Sequence, residues 1–350
     1  MTAGAADIEQ IDARWLSDAL NYSVHAVRAE RVGTGQTGAS YRLYLDAECG
    51  PSTVLAKVAN GTREARQRVA GGYAGEVGFY TLLEPTVDIR VPQCFYAAIS
   101  DDQSQFTLLL EDLAPRKPGV QALSMSLPQV EGAIRNLAGL HAPRWDDATL
   151  HEHAFLPTMQ DEARAAFMGD LTRQAVAQFI DHFSSHLTAD DVAVMRGAAA
   201  LVERWATLSN TPFTLLHGDY RPDNLMLGSE PEDVVALDWQ TMVIGPPTRD
   251  LAYFLGTTLD PEVRRQHESQ LVSFYASELR RRGVTAYNND QCFADYRIGH
   301  IQAVIITTVG WAYATGEQTA SSDAMFAAMA RRSSAALREL ETLERVEAAT

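Results

Sequence analysis

Along the first twenty residues Asp12, Trp15, Leu16, Ala19 and Leu20 recur at helical spacing, with Asp7 or Asp12 placed as a cap, so a short N-terminal helix is expected. From about Val24 the alternation changes to period two. Segments 25–32, 39–46 and 52–59 read as strands, separated by the glycines Gly33, Gly35 and Gly38 and by Glu48-Cys49-Gly50-Pro51-Ser52, which predicts an antiparallel meander. Residues 63–84 return to a helical period, interrupted by Gly71-Gly72 and ended by Pro85, so one helix is expected to start near Tyr73, with Glu76 in its first turn. Segments 91–99 and 106–111 complete a small five-stranded sheet. After Asp112-Leu113-Ala114-Pro115 the pattern becomes helical over 128–142, 157–186, 189–207, 250–257, 261–282, 290–316 and 321–346, and strand-like only in 213–240. The expected fold is α+β. Residues 1–112 form a mainly β N-terminal part with one key helix, a hinge lies near 111–118, and residues 113–350 form a larger helical part.

Composition changes this picture little. At 350 residues the chain exceeds the roughly 250–300 at which single cores stop growing, which agrees with two parts. With 45 acidic against 29 basic residues the formal charge is −16, so the mean field repels nucleic acid and anionic membranes, and neither is expected as a partner. Cys49, Cys94 and Cys292 are scattered and lack CxxC spacing, which suits a reducing cytoplasm rather than a disulfide framework or zinc knuckle. The N-terminus has no basic and apolar leader pattern. The longest apolar run, 301–314, contains Gln302, Thr307 and Thr308 and is shorter than the ~20 residues of a membrane span, so it reads as a buried helix. No obligate protein partner is indicated.

The chemistry concentrates in His217-Gly218-Asp219-Tyr220-Arg221-Pro222-Asp223-Asn224, followed fourteen residues after Asn224 by Asp238 in Val-Val-Ala-Leu-Asp-Trp. Transfer of a γ-phosphoryl group needs a carboxylate aimed at the acceptor hydroxyl and oxygen ligands for the Mg²⁺ on the triphosphate, and Asp219, Asn224 and Asp238 carry those groups. Gly33-Thr34-Gly35-Gln36-Thr37-Gly38 matches GxGxxG, but a strand follows it instead of the helix of a dinucleotide site. That context suits a hairpin whose backbone N–H groups approach phosphates, although in isolation an ordinary turn is the commoner role. Lys57 in Thr-Val-Leu-Ala-Lys-Val and Glu76 nineteen residues later suggest a Lys–Glu pair that positions the lysine on the α- and β-phosphates.

This ordered set resembles the aminoglycoside phosphotransferase and choline kinase-like superfamily. The resemblance rests on the glycine hairpin, Lys57, Glu76, Leu108-Leu109-Leu110-Glu111-Asp112-Leu113, His-Gly-Asp-x-x-x-x-Asn and Leu237-Asp238-Trp239, and covers roughly residues 25–260. It implies a protein-kinase-like two-lobe fold and an ATP- and Mg²⁺-dependent phosphotransferase acting on a hydroxyl of a small molecule. Asp219 becomes the base, and Asn224 and Asp238 become the Mg²⁺ ligands. Gly33, Gly35, Gly38, Lys57 and Glu76 serve the nucleotide, with the backbone of Glu111, Asp112 and Leu113 reading the adenine edge. Arg221 either stabilises charge on the transferred group or forms a loop salt bridge, His217 braces the loop, and Asp250 caps the next helix and braces the loop. Gly218, Trp239 and the lack of an Ala-Pro-Glu segment depart from the protein-kinase pattern and favour a small acceptor. A nucleotide-binding protein without turnover would be expected to have lost Lys57, Asp219 or Asp238, and none is lost. His182 and His186 lie four apart but lack a third metal ligand nearby. Tyr296, Trp311 and Tyr313 read first as core and second as an acceptor wall.

Overall fold

The computed structural model describes residues 4–5, 7–33, 38–208, 212–314 and 318–349; Gly35 lies outside them. By their contacts the residues group into two compact units. The first takes the chain up to Thr86, Val91–Pro115 and Leu237–Thr241, and the second takes Val87–Arg90, Arg116–Ala236 and the chain from Met242 onward.

In the first unit, helix α1 (Ala13–Leu20) starts at Asp12, whose carboxylate accepts the Trp15 N–H at 2.7 Å, and it buries Leu16 and Ala19. Strands β1 (Val24–Val32), β2 (Gly38–Ala47) and β3 (Thr53–Ala59) pair antiparallel in sequence order, as the period-two pattern requires. Helices α2 (Arg63–Arg68) and α3 (Ala70–Gly78) follow, then strands β4 (Cys94–Ile99) and β5 (Phe106–Glu111). The sheet order is β1-β2-β3-β5-β4, antiparallel throughout. On β3 the alternation buries Val54, Ala56 and Val58 against Leu16, Leu43 and Leu109, and Lys57 takes the opposite face.

The helix expected from Tyr73 begins at Ala70, and a separate short helix, α2, precedes it. Thr62 caps α2 by accepting the Ala65 N–H, and beyond α3 the helix runs on in π-type turns through Phe79–Leu83. Gly71-Gly72 therefore sits inside α3 rather than before it. A Cβ at Gly72 would come within 3.3 Å of the Gln240 Cβ, so this glycine answers to a close neighbour and not to a helix boundary. Glu76 accordingly stands in the last turn of α3, not the first.

The second unit opens with the two-residue strand β6 (Lys117–Pro118) and helix α4 (Leu127–His141), which carries a Ser126/Gln129 capping box. Helices α5 (Glu162–His182) and α6 (Ala189–Ala206) precede four short strands, β7 (Thr214–Leu216), β8 (Leu225–Leu227), β9 (Val234–Ala236) and β10 (Val243–Gly245). Then come α7 (Thr248–Thr258), α8 (Pro261–Arg281), α9 (Asn289–Gly299), α10 (Ile301–Ala312), α11 (Ala320–Glu339) and α12 (Thr342–Ala348). The strands form two small sheets, β7 with β10 and β6-β8-β9.

Three expected helices differ. The 157–186 helix starts only at Glu162, because Thr158 bridges to Ile244 as extended chain and Asp161 provides the cap. The 290–316 helix is interrupted at His300. Just before it, a Cβ on Gly299 would meet the Thr248 carbonyl oxygen at 2.8 Å, so α9 is seated tightly on α7. The 321–346 helix breaks at Glu341, which adopts a left-handed φ of 55°. Trp311 packs edge-on against Phe179 and Phe183 in the helical core, and Tyr296 is fully buried with its hydroxyl toward Glu268. Both are core residues; Tyr313 is exposed. His182 pairs with Asp323, and among the described residues no cluster of three or more His, Cys, Asp or Glu is arranged for a metal. No described helix is long and apolar enough to cross a membrane.

Candidate active site

Within the first unit, strand register and helix phase bring three sequence-distant ionic groups together. Lys57 donates to Glu76 Oε1 at 2.7 Å and to Asp238 Oδ1 at 3.3 Å, and the other Glu76 oxygen accepts from the Gln240 amide at 2.8 Å. The Glu76 side chain is 1% exposed, Lys57 13% and Asp238 44%, so the pair is inside and one carboxylate faces outward. Burial works against the Lys57 ammonium, but Asp238 and Glu76 outweigh it and hold Lys57 above its ordinary range. Burial likewise pushes Glu76 up, with the Lys57 charge only partly opposing it. Asp238 itself sits at φ 67°, a left-handed conformation uncommon for a side chain-bearing residue. Its neighbour Trp239 is fully buried and stacked on Phe79, with ring centroids 3.6 Å apart and planes 5° from parallel. That stack anchors the segment in its strained shape.

The glycines and the strand end belong to the same unit. Gly33 is left-handed at φ 72°, which a side chain would resist. A Cβ at Gly38 would lie 3.2 Å from the Val58 carbonyl and 3.4 Å from Lys57 Cε, so this glycine makes room for the lysine stem. Glu111 ends β5 opposite Val54, and its N–H donates to the Gln93 carbonyl. Asp112 turns back to hold Arg42 in a two-point ion pair at 2.6 and 3.1 Å, and Leu113 is buried.

The acidic loop lies in the second unit, between β7 and β8. Gly218 is left-handed at φ 83°. The fully buried carboxylate of Asp250 accepts the N–H of His217 on Oδ2 at 2.7 Å and that of Gly218 on Oδ1 at 3.0 Å, and His141 Nε2 approaches Oδ2 at 3.4 Å. Asp250 thus braces the loop as expected, but it does not cap α7: it stands in the first turn behind Pro247 and points its oxygens at the loop. His141 also meets the Tyr275 hydroxyl at 2.6 Å. Burial keeps its imidazole below the usual range, only partly offset by Asp250, and a neutral ring can accept from Tyr275 while donating to Asp250. His217 Nδ1 accepts the Asp219 N–H at 3.3 Å, a bracing role.

Asp219 is held on three sides. Oδ1 accepts from the Tyr253 hydroxyl at 2.6 Å; Oδ2 accepts from Asn224 Nδ2 at 3.0 Å and Arg221 Nε at 3.2 Å. Arg221 also donates to Asp223 at 3.2 Å, so its salt bridges are real. Burial opposes the guanidinium charge, but Asp219 and its neighbours hold Arg221 above its ordinary range. The Asn224 amide nitrogen is committed twice to Asp219, to the side chain and to the carbonyl at 2.8 Å. That leaves the carbonyl oxygen Oδ1 as the end able to face a cation. Asn224 Oδ1 and the outward carboxylate of Asp238 are hard oxygen donors, the type Mg²⁺ selects.

Sequence reading missed Tyr253, Gln240 and Gln302, which donates to the Gly218 carbonyl at 3.1 Å. Gln240 directly follows Asp238-Trp239 but carried no role there, Tyr253 and Gln302 belong to no local motif, and only the helical phase of Tyr253, one turn after Asp250, hinted at a shared face.

Three solved structures of similar fold are distant in sequence. A candidate aminoglycoside phosphotransferase from Ralstonia eutropha JMP134 shares 17% identity over 98% of this chain and 99% of its own, with a TM-score of 0.52. Plasmodium vivax ethanolamine kinase shares 11% over 87% and 82%, TM-score 0.53. A choline/ethanolamine kinase family protein from Mesorhizobium loti shares 14% over 92% of each chain, TM-score 0.51. No curated protein matches by sequence. The fold is therefore the protein-kinase-like α+β fold of small-molecule phosphotransferases, with an antiparallel sheet and a helical part. The ecdysteroid kinase-like family profile matches residues 84–284, more than half of the sequence, and the chain belongs to that family.

Proposed function

We propose that this protein transfers the γ-phosphoryl group of ATP, with Mg²⁺, to a hydroxyl of a small molecule. The observation that carries the reading is the Asp219 carboxylate, fixed by Tyr253, Asn224 and Arg221 in a chain of kinase-like family and fold. Asp219 is the base. As the acceptor oxygen bonds to the γ-phosphorus and the bridging oxygen leaves with ADP, the hydroxyl proton passes to the carboxylate late in the step. Arg221, already charged beside Asp219, is placed to offset charge on the group in transit.

In this reading residues 1–112 serve the nucleotide and residues 113–350 supply the catalytic loop and acceptor pocket. Backbone at Gly33 and Gly38 faces phosphate, Lys57 neutralises the α- and β-phosphates, and Glu76 keeps Lys57 extended. Glu111 and Leu113 flank the adenine edge. Asn224 and Asp238 are the metal ligands, and bound Mg²⁺ would neutralise the charge that builds on the phosphates. The acceptor side carries an apolar character. Tyr253 packs with Ala303 and Met329, bordered by the partly exposed Ile306, Met325 and Phe326, and Met325 Sδ lies 3.4 Å from Arg221. Such a wall favours an alcohol with an apolar body. A cytoplasmic location agrees with ATP as donor.

The test is Mg²⁺-dependent ADP formation across kanamycin, choline, ethanolamine and a hydroxylated ecdysteroid, with Asp219→Ala alongside. Acceptor-stimulated turnover that falls at least 1,000-fold in the variant is expected, on the order of the penalty for removing one essential catalytic group. Equal turnover by the variant would overturn Asp219 as the base, and none by the native chain with any alcohol would overturn the phosphotransfer reading.

A further inference from the structure

We propose that Tyr253 is the positioning residue of the reaction, fixing which single direction of the Asp219 carboxylate remains open to the acceptor hydroxyl. This rests on Asp219 being the base. An ionised carboxylate offers about four lone-pair sites, two on each oxygen. Oδ2 already accepts from both Asn224 and Arg221, and Oδ1 accepts from Tyr253. One site, on Oδ1, remains. Without the phenol, Oδ1 would offer two sites and the carboxylate could turn about its own bond, held from one side only.

The support for Tyr253 is rigid. Its ring is fully buried among Ala303 and Met329, and it has only two side-chain torsions to lose. One helical turn earlier, Asp250 grips the backbone N–H groups of His217 and Gly218. Helix α7 therefore fixes the loop backbone with one residue and the carboxylate of the same loop with another on the same face. Gln302 holds the Gly218 carbonyl from α10. Burial, with Asp219 close by, keeps the phenol well above its ordinary range, so it stays protonated and donates throughout the working pH range.

The experiment compares Tyr253→Phe with Tyr287→Phe. Tyr287 is a buried tyrosine whose hydroxyl donates to Asp295 at 2.7 Å, away from the loop. The readouts are the fastest alcohol of the panel above and the slow release of phosphate from MgATP to water, which needs no acceptor. Tyr253→Phe should lower kcat about tenfold on both readouts, leave the KM for MgATP within about twofold, and turn the Asp219 carboxylate in a crystal structure of the variant. Tyr287→Phe should lower the unfolding midpoint and leave kcat unchanged. Replacing Tyr253 with 4-aminophenylalanine, which keeps a donor in place, should restore kcat to within about threefold. It also serves if the phenylalanine variant does not fold. Native kcat in Tyr253→Phe, an unmoved carboxylate, or failure of the amino analogue to restore activity overturns the proposal. Full activity of Asp219→Ala would overturn Asp219 as the base and this proposal with it, whereas no turnover by the native chain with any alcohol would overturn the phosphotransfer reading itself.

Discussion

Replacing Lys57 with methionine removes the cation that Glu76 faces while keeping roughly the same stem volume. Glu76 then keeps a neutral partner, the Gln240 amide at 2.8 Å, inside a site where its own side chain is 1% exposed. Breaking a buried ion pair from one side typically costs about 3–5 kcal/mol. Here the loss has a ceiling, because Glu76 can take up a proton instead of remaining charged. From the ordinary carboxyl value of 4.5, holding that proton at pH 7 costs about 3.4 kcal/mol, at pH 6 about 2, and at pH 5 about 0.7, at 1.36 kcal/mol per unit. Asp238, nearly half exposed, adds little to the sum. A carboxyl whose folded value is raised contributes stability that is complete below its unfolded value and lost as the pH climbs. In the native chain the Lys57 charge partly opposes that rise, so its removal raises the Glu76 value further, and within these ceilings the variant should unfold more easily than the native chain by an amount that grows from pH 5 to pH 7. Urea unfolding followed by tryptophan fluorescence at pH 5, 6 and 7 measures this, with Trp239 reporting from the same unit. Adding Glu76→Gln should remove most of the pH dependence. A penalty that stays flat across those three pH values would refute the argument.

Two further outcomes follow from buried contacts. Asp250→Ala leaves the N–H groups of His217 and Gly218 without their acceptor, at about 1–3 kcal/mol each while both stay dry, so urea unfolding should show a loss of about 2–6 kcal/mol and kcat should fall with it. Unchanged stability would mean the loop relaxes to water. Trp239→Ala empties the stack on Phe79 and should cost about 3–5 kcal/mol, with weaker Mg²⁺ dependence of nucleotide binding in a thermal-shift titration because Asp238 loses its anchor. A loss below about 1 kcal/mol would show that the stack is not what holds the segment.

The strands of the first unit were legible because half-buried strands write their register as alternation: β3 buries every second residue and its bounds differ from expectation by a single residue. Helix boundaries were less so wherever a glycine served a neighbour. Gly72 and Gly299 are close approaches to residues far along the chain, and nothing local separates such a glycine from a helix stop. The site divides in the same way. Lys57, Glu76, Asp219, Arg221, Asn224 and Asp238 stood out because residue type and order carry chemistry. Tyr253 and Gln240 are a tyrosine in an apolar helix and a glutamine in a turn, defined only by hydrogen bonds spanning 34 and 164 residues. Asp250 was legible as a brace but not in its manner, since a carboxylate in a first turn ordinarily serves its own helix.

Leu237–Thr241 joins the first unit although the chain on either side of it belongs to the second. Five residues thus supply Phe79 with its stacking partner, Glu76 with an amide and Lys57 with a second carboxylate. A fragment cut after Pro115 would hold the whole five-stranded sheet and still be an incomplete body, with a bare aromatic face and a buried acid short of its donor. Recombination or gene splitting at any point between Pro115 and Leu237 separates the sheet from the short strap that completes it, whereas the strap offered as a peptide would be the natural reagent for restoring the isolated sheet.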